Sequence, residues 1–326
     1  MPASAAHILD FLADRVLLCD GGMGSEAEAH GLDLDRDLRG HAHFADILCL
    51  TRPDLVRDIH LAHLRAGADA VETNSFSASP VTLDGIGFGG SAHELNRRAA
   101  ELAHEAVALC APAGRPRFVI GAVGPGGMLP SRGEIDGETL EAGYAAQCRG
   151  LVAGGVDAIL IETCRDVLQI EAAIAGARRA GAEVPVFVQV STEPGGGLLR
   201  GDLAAVAALA RARRVPLLGL NCAAGPATMA APLRWLAENW EGLLSAQPSA
   251  GLPELAGSRA RYPTGPAEFA AWQERFVCEF GVNLVGGCCG TEASHIAAVD
   301  AVLRRLAPDG FRPRRFQPAR PPTAQR

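Results

Sequence analysis

Eight short apolar runs, each followed by a longer stretch of helical period, set the frame of this sequence. They fall at residues 16–19, 70–73, 117–122, 158–161, 186–190, 217–220, 243–246 and 283–285. Each is bounded on its C-terminal side by Gly, Asn, Thr or another polar residue, as expected of a strand buried on both faces in a parallel sheet. Between them, Leu95, Ala99, Leu102, Ala106 and Leu109 recur at spacings of four and three, which lines one face of a helix. Pro53 and Pro226 suit the first helical turn, where a missing N–H costs nothing. Further helices are predicted over 137–153, 166–180, 203–213, 266–280 and 292–306. Eight βα units in series predict an α/β fold, a single (β/α)8 TIM barrel; the alternative is an open doubly wound sheet.

The 326 residues carry 48% hydrophobic and 21% charged side chains, enough apolar material for one large core. No internal boundary divides them, so residues 1–306 are assigned to the barrel. Residues 307–326, rich in Pro and Arg, read as a tail that wraps the surface or stays disordered. A net charge of −7 gives no electrostatic case for nucleic acid. No run approaches the roughly 20 apolar residues that span a bilayer. Residues 1–12 lack the basic start and apolar run of a secretory signal, and nine scattered cysteines suit a reducing compartment, so a cytoplasmic location is expected.

The cysteines at the ends of the sixth and eighth runs carry the chemistry. Asn221 and Cys222 close the sixth; Gly286, Gly287, Cys288, Cys289 and Gly290 close the eighth. In a barrel these are C-terminal strand ends, the face where active sites are built. If the two ends are neighbours, three thiols converge there. Zinc takes sulfur ligands at about 2.3 Å, and three protein ligands leave its fourth tetrahedral position open. A substrate thiol in that position is favoured as the thiolate, which suits alkyl transfer to sulfur. The bland alternative is three small buried residues beside a Gly-rich turn. The other six cysteines (Cys19, Cys49, Cys110, Cys148, Cys164 and Cys278) read as core or surface thiols.

These motifs resemble those of the homocysteine S-methyltransferase family. The resemblance rests on Gly219 to Pro226 and Val285 to Thr291, and extends to Asp20 to Ser25, Glu72 to Phe76, Gly124 to Gly127, and Ile161 to Thr163. Within that family the chain is most similar to the homocysteine-binding module of cobalamin-dependent methionine synthases, a placement supported by residues 245–253. The resemblance implies Zn2+ held by Cys222, Cys288 and Cys289, with a homocysteine thiolate attacking a donor methyl group to give methionine. It also implies that Asp20, Gly21 with the backbone after it, and Glu162 bind the amino acid end of the substrate. A motif like the cobalamin signature at Asp58 to His63 lacks its glycine, so cobalamin binding by these residues is not expected. The methyl donor is left open among a separate methyl-corrinoid protein, S-methylmethionine, betaine and other methylated compounds. Another thiol or selenol as acceptor, and a zinc or redox sensor without catalysis, are the competing readings.

Several side chains keep two readings. Asp20 either binds substrate or caps the next segment. Glu162 either reaches the catalytic face or pairs with Arg165. Asn221 is a candidate substrate contact that either hydrogen-bonds a thiolate or orients a loop. Glu72, Asn74 and Phe76 are expected at the donor side of the mouth. His60 and His63 share a helical face but lack a third ligand, and a solvated or capping role is expected. Gly195 to Gly197 lack the Lys-Ser/Thr of a phosphate loop and read as a mobile loop over the site.

Overall fold

The eight runs become eight parallel strands. In the computed structural model, residues 7–110, 115–181, 183–193, 197–199, 201–256 and 259–306 are described. The strands are β1 Leu17–Leu18, β2 Ala70–Glu72, β3 Phe118–Val123, β4 Ala158–Cys164, β5 Val186–Val190, β6 Leu217–Cys222 and β7 Leu243–Pro248. A short antiparallel hairpin follows, β8 Glu254–Ala256 with β9 Arg259–Arg261, and then the last barrel strand, β10 Leu284–Val285. The sheet order β1-β10-β7-β6-β5-β4-β3-β2 runs once around the molecule, so the open sheet is excluded. The seam between β1 and β2 carries no regular ladder. Asp69 closes it instead: its N–H donates to Leu18 O at 2.6 Å and its carboxylate accepts from Leu18 N at 3.1 Å. Arg115 neutralises that carboxylate at 2.7 Å.

Two faces of each strand are apolar, but they face different partners. Leu17, Ala70, Phe118, Ile120, Leu160, Phe187, Leu217, Leu243 and Leu284 fill the barrel interior. Val71, Val119, Ile159, Val188, Leu218, Leu244 and Val285 pack outward against the helices. A helix absent from the sequence prediction, Ile8–Asp14, plugs the lower end by adding Ile8 and Leu12 to the interior cluster. Seven residues are too few for their periodicity to stand out.

The outer helices follow their predicted bounds closely. Gly137–Ala153 and Pro266–Phe280 match, and Val167–Ala180, Leu203–Ala212 and Ala293–Leu306 differ by one residue at one end. Asp136, Asp166 and Asp202 cap three of them by accepting from backbone N–H groups. Pro53 and Pro226 occupy first turns as expected. No described helix is long and apolar enough to cross a membrane. Residues 307–326, and 195–196 of the proposed loop after β5, lie outside the described residues.

Candidate active site

Along the strands the interior-facing positions alternate, and on β2, β4, β5, β6 and β7 the interior series reaches a polar residue. Two steps beyond Ala70 is Glu72, two beyond Leu160 is Glu162, and two beyond Phe187 is Gln189. Asn221 and Gln247 stand four beyond Leu217 and Leu243. The apolar interior thus gives way to a polar layer beneath the C-terminal face. Above it opens a cavity of about 270 Å³, lined among others by Asp20, Glu72, Glu162, Asn221, Cys222, Gln247, Cys288 and Cys289.

Three thiols meet at one point of its lining. Sγ atoms of Cys222, Cys288 and Cys289 lie within 4.8 Å of one another, with Cys288 and Cys289 3.9 Å apart. The two cysteine-bearing strand ends are not neighbours as expected; β7 lies between β6 and β10. The end of β7 ties them together. Ser249 N donates to Cys222 O, Cys288 N to Pro248 O and Ala250 N to Cys289 O, at 2.9, 3.0 and 2.9 Å. Ser249 Oγ also donates to Cys222 Sγ at 3.6 Å.

Unusual backbone conformations aim the sulfurs. Cys222 and Ala223 adopt φ of 62° and 60°, a left-handed conformation that costs about 1–2 kcal/mol per non-glycine residue. Gly290 has φ 74°, and a Cβ there would meet the Tyr262 ring at 2.0 Å. Tyr262, which the sequence reading did not single out, therefore sits directly against the cysteine turn. Below, Gly287 N donates to Asp20 O and Gly22 N to Thr291 O, both at 2.9 Å, locking the first loop onto the last. A Cβ on Gly21 or Gly22 would meet Thr291 O or Cys288 O at 2.5 Å.

The thiols cannot all ionise by themselves. Hydrogen bonds from Cys288 and Cys289 draw the Cys222 thiol well below its ordinary range. The bonds they share with Cys222 push Cys288 and Cys289 up. The three sulfurs therefore titrate as one coupled cluster, in which a charge on Cys222 disfavours charge on the other two. Three soft donors at one point form a tetrahedral face for a thiophilic divalent ion, and such an ion would ionise all three.

Carboxylates share the cavity with the thiols. Burial, then repulsion from Glu72, raises Asp20; burial, then repulsion from Glu72, Cys222 and Asp20, raises Glu162. Burial likewise raises Glu72. Among the described residues lining the cavity there is no Arg or Lys to balance them. Asp20 does not cap the following helix, whose N-cap is Gly22; its Oδ2 accepts from Glu72 N at 3.0 Å. Glu162 does not pair with Arg165, which bonds Glu193. Asn221 fixes it instead. The Asn221 amide donates to Glu162 Oε2 and Thr163 Oγ1, both at 2.8 Å, and its Oδ1 accepts from Thr163 N at 3.0 Å. Thr163 is held at φ 63° where the pairing of β4 with β5 slips register, a strain typical of ligand-facing backbone.

Other expectations change. Asn74 and exposed Phe76 border the cavity, whereas Glu72 sits in the polar layer rather than at the rim, bonded by Gln247 Nε2 at 2.9 Å. Gln189 in turn donates to Gln247 Oε1 at 2.5 Å and Ser245 Oγ at 3.1 Å. The sequence reading missed this pair of glutamines, because both faces of their strands are apolar and alternation alone does not say which face turns inward. Cys19 is more than a core thiol: it donates to Asp20 and Glu72 at 3.5 and 3.6 Å. His60 and His63 are not solvated. Both are fully buried behind the Asp20 loop, with ring nitrogens that lack a hydrogen-bond partner among the described residues. Burial lowers them to about 3 and about 4. Their nearest acids are Asp20, at 3.9 Å from His60, and Glu26, at 3.3 Å from His63.

Comparison with known proteins agrees with the motifs. The family described as homocysteine S-methyltransferase matches residues 17–303. The chain belongs to the homocysteine S-methyltransferase family. Its curated relatives include the methionine synthases of Mycobacterium tuberculosis and Mycobacterium leprae. Each is 39% identical, over 92% and 94% of this chain. The chain spans about a quarter of their length, 25% and 26%. Among solved structures, the metallated form of the homocysteine methyltransferase MmuM from Escherichia coli is 26% identical. It has a TM-score of 0.74, with 90% of this chain and 98% of that chain covered. The homocysteine S-methyltransferase barrel is thus shared along nearly the whole described chain.

Proposed function

We propose that this chain is a zinc-dependent methyltransferase that moves a methyl group from a donor to the thiol of homocysteine, giving methionine. The observation that carries this reading is the cavity itself. Three thiols that meet at one point and carboxylates with no Arg or Lys beside them line the same cavity, which suits an amino acid carrying both a thiol and an ammonium. Family membership and the metallated neighbour support the same assignment.

Cys222, Cys288 and Cys289 would hold the ion. When bound, zinc supplies an acceptor for the substrate sulfur and keeps it as a thiolate at neutral pH. With all three cysteines ionised, the site would donate charge to that ion and so would keep a bound substrate sulfur electron-rich. Ser249, by hydrogen-bonding Cys222, steadies the thiolate nearest the carboxylates. Asp20 and Glu162 take the substrate ammonium, whose positive charge offsets the repulsion that raises both acids. The backbone of the Gly21 loop and the Thr163 hydroxyl, whose oxygen accepts from Asn221, offer donors for the substrate carboxylate. Asn221 acts as a positioning residue: its side chain is committed to Glu162 and Thr163 while its neighbour supplies a sulfur ligand. The donor approaches from the open mouth beside Phe76.

The mycobacterial relatives are methionine synthases, which favours a methyl-corrinoid partner as donor. The deciding experiment incubates zinc-loaded protein with homocysteine and, separately, methylcobalamin, S-methylmethionine, betaine and S-adenosylmethionine, and detects methionine. Turnover that survives complete metal removal, or no methionine from any donor, overturns the reading. A sensor would bind zinc tightly and show no shift of the zinc X-ray absorption edge on adding homocysteine.

A further inference from the structure

The polar layer holds more hydrogen-bond acceptors than its own side chains can serve. Asp20, Glu72 and Glu162 bring three carboxylates, and Gln189 Oε1, fully buried in the same layer, accepts no hydrogen bond from the described residues. Against them stand the two glutamine amides, Asn221 and one thiol. An ammonium has three donors and no acceptor, so it answers such a surplus.

Resting on the function proposed above, we infer that Glu72 is a third carboxylate of the ammonium subsite. Gln189 and Gln247 act as a strut that aims it, so the site selects acceptors with a free primary amine. Three observations converge. Ligand atoms of Cys19, Asp20 and Glu72 lie within 4.8 Å of one another, so Glu72 shares the Asp20 neighbourhood. Gln247 reaches Glu72 from across the barrel, and Gln189 holds Gln247 from behind. Among the described residues lining the cavity there is no Arg or Lys to compete for Glu72. A metal ion among Cys19, Asp20 and Glu72 is the rival occupant. The Cys19 thiol argues against it: its Sγ lies 3.5 and 3.6 Å from the Asp20 and Glu72 carboxylates, and burial followed by repulsion from both raises it and favours the protonated thiol.

An N-methyl group would remove one donor and leave a buried carboxylate unpaired. A deaminated analogue would remove all three. Sites built around a hydrogen-bonding group reject substrates lacking it by large factors. The test compares the zinc-loaded full chain with its Glu72→Gln and Gln247→Leu variants. Calorimetry gives Kd for L-homocysteine, N-methylhomocysteine and 4-sulfanylbutanoate; turnover of each gives KM and kcat.

In the unaltered protein, L-homocysteine should bind at least ~100-fold more tightly than either analogue. Glu72→Gln, nearly isosteric, should weaken homocysteine about tenfold in Kd and KM, shrink its preference over the deaminated analogue by a similar factor, and leave kcat within about threefold. Gln247→Leu keeps the charge but loses its aim, and should shift KM in the same direction by less. Metal should stay at one zinc per chain throughout. Unchanged Kd and preference in Glu72→Gln, or a second metal lost on that substitution, overturns the inference. Tight homocysteine binding without methionine formation from any donor would instead sink the proposed reaction and leave the Glu72 inference standing.

Discussion

Replacing Asn221 by Ala separates holding the metal from holding the substrate. The side chain is 1% exposed and makes three hydrogen bonds: to the Glu162 carboxylate, to the Thr163 hydroxyl and from the Thr163 N–H. A bond to a charged group is worth about 1.5–3 kcal/mol and a neutral one about 1 kcal/mol, so the substitution should cost about 3–5 kcal/mol. That is less than the roughly 5–15 kcal/mol available to a typical domain, so the variant should fold at 25 °C. Backbone bonds from Ser249 and along β6 still fix Cys222. Zinc, counted with a colorimetric chelator after denaturation, should therefore stay near one per chain. Glu162 and left-handed Thr163 lose their tether, and homocysteine KM should rise ~10-fold or more, equivalent to about 1.4 kcal/mol or greater. Full zinc with an unchanged KM, or loss of zinc with KM intact, would refute the division of labour assigned to Asn221.

Other expectations follow from the same geometry. Cys288→Ser should lose both zinc and methionine formation, and no added donor should restore activity. Gly290→Ala places a methyl group in the Tyr262 ring at a left-handed position; thermal unfolding should fall by about 5–10 °C, and retained stability would show that the turn yields easily. His60 is buried as the neutral form at about 3, whereas an unfolded histidine titrates near 6.5. Its contribution is intact above pH 6.5 and is lost as pH falls toward 3, because the unfolded chain then binds a proton the folded one refuses. Between pH 7.5 and 5 this amounts to about 2 kcal/mol, so His60→Leu should flatten the pH dependence of the unfolding free energy from urea titrations by that amount.

The carboxylates act in the opposite sense. Asp20, Glu72 and Glu162 are raised in the folded state, so they add stability at low pH and withdraw it as pH rises through their folded values. Homocysteine should reverse that loss, seen as a ligand-induced rise in melting temperature that grows from pH 5 to 8.

The eight barrel strands, the bounds of five outer helices and the sulfur motifs were legible in the sequence alone, because each is a local pattern; the β8–β9 hairpin was not. A buried parallel strand must be a short apolar run, and a glycine beside Cys288 announces a turn whatever lies around it. Tertiary structure decided what depends on direction. With both strand faces apolar, nothing local separates interior Leu160 from exterior Ile161, so the inward aim of Glu72, Gln189 and Gln247 emerges only once the barrel closes. The same holds for β7 standing between the two cysteine strands and for the seven-residue plug below them. His60 and His63 looked like surface residues on a helical face; the Asp20 loop folding over them made them interior. Chain-local chemistry names the reacting atoms, and three-dimensional closure chooses which of the remaining polar groups face them.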